Sequence, residues 1–444
     1  MSALRVVGKL AGARIVALGL TTEKGRLLRE GLWVSAGHGV AAIAALVGLR
    51  LLTELAPPSL YGTFVLVNGV LALVQGVAFG PLGQAALRFY PALEVVGGES
   101  LLRRQLVAVF WRRWQWIAAF CLGAAVVDGL IFRQVGPVAW VLVAATSGLD
   151  AWRTVEIVMH NAARRQGAYA SLLAADAIGR PAGTMLMAWA IGPSLESMLL
   201  GQAAGALAAL TGARLVARSD QRSTGYEQGS LGSFSDLDQK MNRFAASLVW
   251  VPLAGWLSGL ADRYVVGSLL GLAQAGIYAA AYGLASRPLL VLGQITEATL
   301  RQPVYEAASR RQSLRFRRLL GLWLAVNVMC GVTWVLLLLA GGDIAARWLL
   351  ASEYRAVAAR LFPWIAFGYA LVLANQVVER ILYVEHRTGT VACLQVAGAA
   401  LGVVGPVVGA VWFGLEGVAM AVPVYFGLQL ILTGFIVRRR LGTV

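Results

Sequence analysis

Four arginines stand inside long apolar runs of the sequence, where a positive charge needs water, a counterion or an anionic ligand: Arg153, Arg180, Arg263 and Arg287. A guanidinium group keeps its charge at every accessible pH and offers planar, paired donors to phosphate and carboxylate oxygens. The chemistry that these residues predict is the binding of an anion, with no bond made or broken. We therefore predict no catalytic residues and no enzymatic activity.

Acidic residues at helical spacing divide the four arginines into two groups. Asp150 and Glu156 each lie three positions from Arg153, and Asp176 lies four positions before Arg180. Side chains at these spacings meet on one face of a helix. For Arg153 and Arg180, a neutral packing pair and a charge in a binding cavity are both open interpretations.

The other two arginines have no acidic residue three or four positions away on either side. Asp262 is adjacent to Arg263, and Pro288 follows Arg287. We predict that Arg263 and Arg287 face a water-filled lumen or an anionic ligand. A salt bridge from another helix is the alternative.

Several titratable side chains inside apolar runs are candidates for coupling transport to H⁺ or Na⁺, and they are Asp262, Asp150, Asp176 and His38. For Asp262 the other interpretation is an internal ion pair with its neighbour Arg263. For His38 it is a packing residue that forms a hydrogen bond, although an imidazole titrates near neutral pH.

Cysteine and histidine are too sparse and too dispersed for a metal site. The three cysteines, Cys121, Cys330 and Cys393, are far apart, and the chain has only three histidines. Neither a disulfide nor a metal ligand set is predicted, and no cofactor is expected beyond the coupling ion.

The elements that position these charges are predicted to be membrane-spanning helices. Of the 444 residues, 58% are hydrophobic and only 14% are charged, whereas about a quarter of an ordinary soluble domain is charged. Apolar runs of about 20 residues match the thickness of the bilayer, and only helices or closed barrels satisfy their backbone there. We predict an all-α protein with about twelve spans, at 31–52, 62–87, 114–132, 137–159, 168–191, 194–216, 244–270, 276–300, 319–340, 358–380, 390–412 and 416–437.

The distribution of lysine and arginine predicts the orientation of these spans. Most of the 38 basic residues fall at alternate ends of the spans, and basic connections remain in the cytoplasm. The protein is therefore predicted to lie in the inner membrane of a bacterium, with both termini in the cytoplasm. The same distribution accounts for the net charge of +16 through topology and contact with membrane lipids, so no nucleic-acid partner is expected.

A polar stretch divides the chain into two halves. We predict a cytoplasmic arm at 1–28, an N-lobe with spans one to six at 29–216, a linker at 217–243, and a C-lobe with spans seven to twelve at 244–444. The linker is rich in Ser, Gly, Asp and Gln.

The two halves also share a sequence echo. Leu55-Ala56 is followed after four residues by Tyr61, and Leu272-Ala273 is followed after four residues by Tyr278, an offset of 217. The first copy follows span one and the second follows span seven, and both of these spans are predicted to start on the cytoplasmic side. The pattern predicts a parallel repeat, with two six-helix lobes related by a pseudo-two-fold axis along the membrane normal.

At these residues the sequence resembles a known family. The stretch SGLADRYVVGSLLGLAQAGIYAAAYGLASRPL, together with LAPPSLYGTFVLVNGVLAL after the first span, is similar to polysaccharide-transport proteins of the O-antigen flippase type. These belong to the multidrug, oligosaccharidyl-lipid and polysaccharide exporter (MOP) superfamily. The likeness covers almost the whole chain and includes a pattern of fixed spacing, formed by Asp262, Arg263, Gly267, Gly271, Gly276 and Tyr278.

This resemblance implies a transporter that works by alternating access between two lobes. The cargo of such proteins is an oligosaccharide linked to undecaprenyl diphosphate, which is flipped to the outer leaflet for lipopolysaccharide or exopolysaccharide synthesis. A polysaccharide polymerase is an implied partner. Two alternatives remain: a multidrug or small-molecule exporter of the same superfamily, which an acidic lumen would favour, and a membrane polysaccharide polymerase, which would need a large outer loop.

Overall fold

A computed structural model describes residues 23–94, 98–132, 135–218, 234–385 and 387–441. These residues are almost entirely helical, and no β-strand occurs among them. Most of the predicted arm and residues 219–233 of the predicted linker lie outside the described residues. The described part of the arm begins helix α1.

Six long helices form the N-lobe. They are α1 (Glu23–Leu55), α2 (Pro58–Val74 and Gly80–Glu94, joined by a π-helical turn at Gln75–Phe79), α3 (Glu99–Val127, extended by a second π-helical turn at Asp128–Phe132), α4 (Pro137–Ala162), α5 (Gln166–Ile191) and α6 (Leu195–Arg218).

The C-lobe contains six more helices of spanning length, preceded by one short helix. They are α7 (Phe234–Ser247, the short one), α8 (Trp250–Leu269), α9 (Leu272–Ser309), α10 (Ser313–Leu349), α11 (Ser352–Val384) and two helices within Thr388–Leu441. Gly414 separates those two, α12 and α13, with φ of 60° and ψ of −142°. Glycine is the residue that adopts this conformation without steric cost.

The described residues thus contain one helix for each of the twelve predicted spans, and the predicted fold class is confirmed. Seven helical stretches of the described residues are long and apolar enough to cross a membrane, and the last of them contains both α12 and α13. The four that fall short are α3 to α6. In α4 and α5 the charges of Asp150, Arg153, Asp176 and Arg180 lower the mean hydropathy.

Part of the predicted linker is helical. Residues 234–243 begin α7, which packs against α2 of the N-lobe. Met241 and Ala245 are buried in a cluster with side chains of α2 and α3, and the guanidinium of Arg88 lies 4.6 Å from the ring of Phe244. The linker therefore attaches to the N-lobe before the chain enters the C-lobe.

The two lobes meet most closely where α2 and α9 begin. A Cβ atom added to Gly62 would overlap the carbonyl oxygen of Leu272, and one added to Gly276 would overlap the carbonyl oxygen of Pro58. The contact is reciprocal, as expected for two repeats that face each other across a pseudo-two-fold axis. It closes the lobes at the predicted periplasmic face.

This contact corrects the register of the sequence echo. Pro58 and Gly62 are equivalent to Leu272 and Gly276, an offset of 214 rather than 217. Leu55 is the last residue of α1, whereas Leu272 is the first residue of α9. The sequence echo was therefore misaligned by three residues, about one turn of helix. The cause is that one Leu-Ala pair lies at the end of a helix and the other at the start of a helix.

Polar contacts from α11 reinforce the closed end. The hydroxyl of Tyr354 donates a hydrogen bond to the carbonyl oxygen of Ala56 at 2.8 Å, and the amide of Ala351 donates to Thr53 Oγ1 at 3.3 Å. The rings of Tyr61 and Tyr354 pack edge to face with centroids 6.1 Å apart. The closed end is therefore a specific interface.

Helices α2 and α8 join the lobes along one side. Trp256 Nε1 donates to the carbonyl oxygen of Gly69 at 2.7 Å, and the hydroxyl of Tyr264 donates to the carbonyl oxygen of Leu66 at 2.6 Å. Both bonds use backbone acceptors in the middle of α2. The space left between the lobes is the candidate site.

Candidate functional site: a cavity between the lobes

A cavity of about 690 Å³ lies between the lobes. Helices α1, α2, α5 and α6 line it from the N-lobe, and α8, α9 and α11 line it from the C-lobe. Its charged lining residues are Asp176, Arg180, Arg263 and Arg287. All four were singled out from the sequence as site or coupling residues.

Arg287 is the free charge of this cavity. It lies 15 residues after the start of α9, about 22 Å along the helix and near the middle of the predicted span 276–300. Its side chain is exposed to the cavity, and within the described part of the chain it has no ion pair and no hydrogen-bond partner. A guanidinium in this position has all its N–H donors available for a ligand or water.

Arg263 is more enclosed and has protein partners. It is 9% exposed, its guanidinium donates to the carbonyl oxygen of Gly259 at 2.7 Å, and it lies 4.2 Å from the ring of Tyr282. The nearest carboxylate is that of Asp262, 3.6 Å away. Arg263 therefore borders the cavity with its charge largely compensated.

Asp262 lies behind Arg263 and away from the cavity surface. It is 2% exposed, and its carboxylate accepts the hydroxyl of Tyr278 at 2.7 Å and the backbone N–H of Arg263 at 2.8 Å. These contacts are those of an internal partner for Arg263, which was the second interpretation of this residue.

In the N-lobe, two aspartates and two arginines form a closed network between α4 and α5. Asp176 pairs with Arg180 at 2.8 Å and with Arg153 at 3.2 Å, while Asp150 pairs with Arg180 and lies 3.6 Å from Arg153. Two positive and two negative charges cancel. The sequence spacing indicated the pairs within each helix, and the fold adds the pairs between α4 and α5.

Glu156 does not join this network, although its spacing from Arg153 indicated a pair. Its carboxylate instead accepts hydrogen bonds from Arg103 at 2.6 Å, from Arg214, and from Trp152 Nε1 at 3.2 Å. These partners come from α3, α6 and α4 at the predicted cytoplasmic ends of the helices. The i+3 pairing was wrong because arginines from two other helices are closer.

A second chamber of about 560 Å³ adjoins the cavity inside the N-lobe. Asp150 and Arg153 line this chamber and not the main cavity, while Asp176 and Arg180 line both. The π-helical turn of α2 brings Gln75 to its wall, where Gln75 Nε2 donates to the carbonyl oxygen of Asp150 at 3.0 Å. Such turns are frequent at functional sites.

His38 lies apart from both spaces. It is half-buried on α1 and does not belong to the lining of either chamber. No group of three or more His, Cys, Asp or Glu side chains within the described ranges is arranged to hold a metal ion.

Sequence reasoning missed the uncharged polar lining of the main cavity, which comprises Tyr61, Asn68, Thr184, Gln202, Tyr282, Ser286 and Tyr369. Asn68 Oδ1 accepts a hydrogen bond from Gln202 Nε2 at 2.7 Å, and the hydroxyls of Tyr282 and Tyr369 are 2.6 Å apart. An amide in the middle of an apolar span was the available signal for Asn68 and Gln202. Nothing in the sequence separated the cavity tyrosines from packing residues.

Replacing Asp150 with Asn should destabilise the N-lobe. The substitution leaves Arg180 and Arg153 with one carboxylate between them, and breaking a buried ion pair costs about 3–5 kcal/mol. Thermal unfolding of the purified protein in detergent measures the effect. The matched control is Glu54→Gln, which removes the exposed partner of Arg50 and should cost at most about 1 kcal/mol. Equal stability of the two variants would contradict the network.

No protein-family model matches the chain, and no curated protein sequence matches it.

Solved structures do match over nearly the full length. An inward-facing multidrug resistance MATE family transporter of the MOP superfamily superposes with a TM-score of 0.68, at 12% identity, over 92% of this chain and 95% of that one. The lipid II flippase MurJ, in an inward closed conformation, gives 0.66 at 12% identity over 92% and 87%. A MOP superfamily transporter from Pyrococcus furiosus, described by the reverse polarity of its binding pocket, gives 0.62 at 13% identity over 94% and 96%.

Identities this low establish the fold and leave the cargo open. The superpositions extend over most of both chains in each case. The chain therefore has the fold of the MATE and MurJ transporters of the MOP superfamily.

Proposed function

We propose that this protein is a membrane transporter that flips an oligosaccharide linked to undecaprenyl diphosphate from the inner to the outer leaflet. Alternating access of the two lobes to the cavity between them would drive the movement. The observation that carries the proposal is the uncompensated charge of Arg287 in that cavity.

The charge of the cavity favours an anionic cargo. The Asp150, Arg153, Asp176 and Arg180 network is neutral, and Arg263 is balanced by Asp262. Arg287 then adds one positive charge at mid-membrane depth. An isolated charge there is costly unless a ligand or water compensates it, and a diphosphate offers several oxygens to a guanidinium.

The rest of the lining matches the other two parts of such a cargo. Gln202 and Asn68 are amides that can exchange hydrogen bonds with sugar hydroxyls, and Gln202 Oε1 is buried without a partner. Leu46 and Leu49 of α1 and Leu290 of α9 form an apolar part of the cavity wall. The cavity thus combines one anion-binding group with polar and apolar walls.

Two of the structural neighbours add support. MurJ is described as a lipid II flippase, so this fold is compatible with a lipid-linked cargo. For the Pyrococcus furiosus transporter, the reverse polarity of the binding pocket is described as suggesting a different function, which makes pocket charge a relevant criterion within the fold.

A multidrug or small-molecule exporter is the alternative, favoured by the MATE neighbours and by the largely apolar wall. A cationic drug would be repelled by Arg287, so this alternative requires a neutral or anionic compound. A membrane polysaccharide polymerase is disfavoured, because the described turns at the predicted periplasmic face are only a few residues long.

Orientation, location and partners follow as parts of the same proposal. We propose that the protein lies in the inner membrane of a bacterium with both termini in the cytoplasm, an orientation that the basic ends of the helices favour. A polysaccharide polymerase would receive the flipped product on the other side. The cargo movement would be coupled to H⁺ or Na⁺.

Reconstituted proteoliposomes test the function directly. A fluorescent oligosaccharide on undecaprenyl diphosphate should move out of one leaflet and so become inaccessible to a membrane-impermeant quencher on that side. The rate of this loss of accessibility should be well above the rate in protein-free vesicles. The parallel arm measures efflux of a neutral dye and of an anionic dye, the two kinds of compound that the exporter alternative allows. Dye efflux without flipping would overturn the proposal in favour of the exporter, and activity in neither arm would overturn both.

A further inference from the structure

We infer that Glu379 is a proton-binding site in the C-lobe whose occupancy controls the position of α9 relative to α11. The inference deepens the proposed function, because it names a group through which a proton acts on the lobe that carries Arg287. The sequence pointed to other residues for this role.

The geometry around Glu379 is that of a buried carboxylate held by neutral amides. The residue is 5% exposed, on α11, five residues before the helix ends at Val384. Asn375 Nδ2 donates to its Oε1 at 2.9 Å, and Gln395 Nε2 of α12 donates to Oε1 at 3.0 Å and to Oε2 at 3.2 Å. No lysine or arginine nitrogen of the described residues lies within 4.0 Å of it.

The nearby charged and titratable groups do not neutralise it. On α11 itself these groups are Arg380 and Tyr383. Glu297 and Tyr305 of α9 interact with Tyr383, and α12 contributes the neutral amide of Gln395. Arg380 pairs with Glu297 at 2.8 Å and so is engaged elsewhere. The residues that touch Glu379 directly are amides. A buried carboxylate in this setting carries a desolvation cost that protonation removes.

Asn375 supplies what the protonated state requires. Its Oδ1 is buried and has no hydrogen-bond partner, while its Nδ2 already serves the carboxylate. A protonated Glu379 has one O–H to donate, and the Asn375 amide can turn its free oxygen towards that donor. The same residues can therefore satisfy both the charged and the neutral form of Glu379.

The candidates chosen from the sequence lack this arrangement. Asp150 and Asp176 are neutralised by arginines, and Asp262 contacts Arg263. Glu379 has hydrogen bonds without a counterion, and that combination permits proton uptake.

The effect reaches the cavity through α9. Arg380, adjacent to Glu379, holds Glu297 of α9, and a Cβ atom on Gly293 would lie 2.6 Å from Leu373 of α11. Ten residues before Glu297, α9 carries Arg287, followed by Pro288, which interrupts the helical hydrogen bonds. A change in the packing of α11 at Glu379 can thus move the segment of α9 after Pro288 relative to the segment before it, which carries Arg287.

Distances between the lobes test the inference on the full-length protein. Spin labels are placed on Pro193→Cys and Ser352→Cys, at the predicted periplasmic face, with Cys121, Cys330 and Cys393 replaced by serine. We expect the distance distribution to change between about pH 8 and about pH 5 at constant Na⁺. Glu379→Gln, which mimics the protonated form, should show the low-pH distribution at both values. Glu379→Asp should restore a pH response.

The control is Glu416→Gln, which removes an exposed carboxylate paired with Arg360 at 2.9 Å and should leave the pH response intact. A pH response that persists in Glu379→Gln would overturn the inference. A response of the wild type to Na⁺ at constant pH, without one to pH, would also overturn it. These readouts involve no cargo, so failure of the flipping assay would be a separate result against the proposed function alone.

Discussion

Replacing Arg287 with alanine is expected to reduce flipping at least about 100-fold. A guanidinium that binds a phosphate group forms two charge-assisted hydrogen bonds, each worth about 1.5–3 kcal/mol, and a loss of about 3 kcal/mol corresponds to more than 100-fold in affinity. Because Arg287 has no partner among the described residues, its removal breaks no protein ion pair. The initial rate of flipping in proteoliposomes measures the effect.

Two further variants make this result specific. Arg287→Lys keeps the charge but loses the paired donors, so flipping should be intermediate between the wild type and Arg287→Ala. Arg310→Ala removes an exposed arginine just beyond the end of α9, paired only with Glu306, and should flip at the rate of the wild type. If Arg287→Ala flipped the cargo as fast as Arg310→Ala, the anion-binding role of the cavity would be wrong.

Replacing Gly276 with valine is expected to prevent closure at the predicted periplasmic face. The first side-chain carbon would already overlap the carbonyl oxygen of Pro58, and backbone cannot give way as a flexible side chain can. The lobes would separate at this end, and flipping should fall at least about 10-fold because one of two alternating states is lost.

The reactivity of a single cysteine in the cavity reports this opening. Ser286→Cys, in a background without the native cysteines, places a thiol on the buried lining of the cavity. A membrane-impermeant maleimide added outside intact cells should label it at least about 10-fold faster with Gly276→Val.

Gly321→Val is the control, since a Cβ atom there meets nothing within 4 Å. Equal labelling of the two glycine variants would show that the Gly62–Gly276 contact does not govern access.

The distribution of charge explains how such a cavity tolerates arginine inside a membrane. The N-lobe wall neutralises its arginines with aspartates from α4 and α5, so this wall is polar with no net charge. The C-lobe wall keeps one arginine free on α9. A cargo that bridges both walls can bind its anionic group to one lobe and its sugars to the other, and lobe separation then weakens both sets of contacts.

Amino-acid sequence alone was sufficient for the class of fold and for the residues that deserved attention. Apolar runs have a fixed length because the bilayer has a fixed thickness, so the spans could be predicted locally. Charges such as Arg287 and Asp176 stand out within those runs because burial in lipid is costly wherever the helix packs. The pairing of Asp176 with Arg180 also followed from helical spacing.

Tertiary structure decided which of those charges are free. Arg263 and Arg287 looked alike in sequence, yet Arg263 is enclosed by Asp262 and Tyr282, whereas Arg287 faces open space. The repeat register and the isolation of Glu379 were likewise set by contacts between helices distant in the chain. Helical periodicity fixes only neighbours three or four residues apart, and a charge is compensated by whatever lies within a few ångströms, which only the packing of the lobes determines.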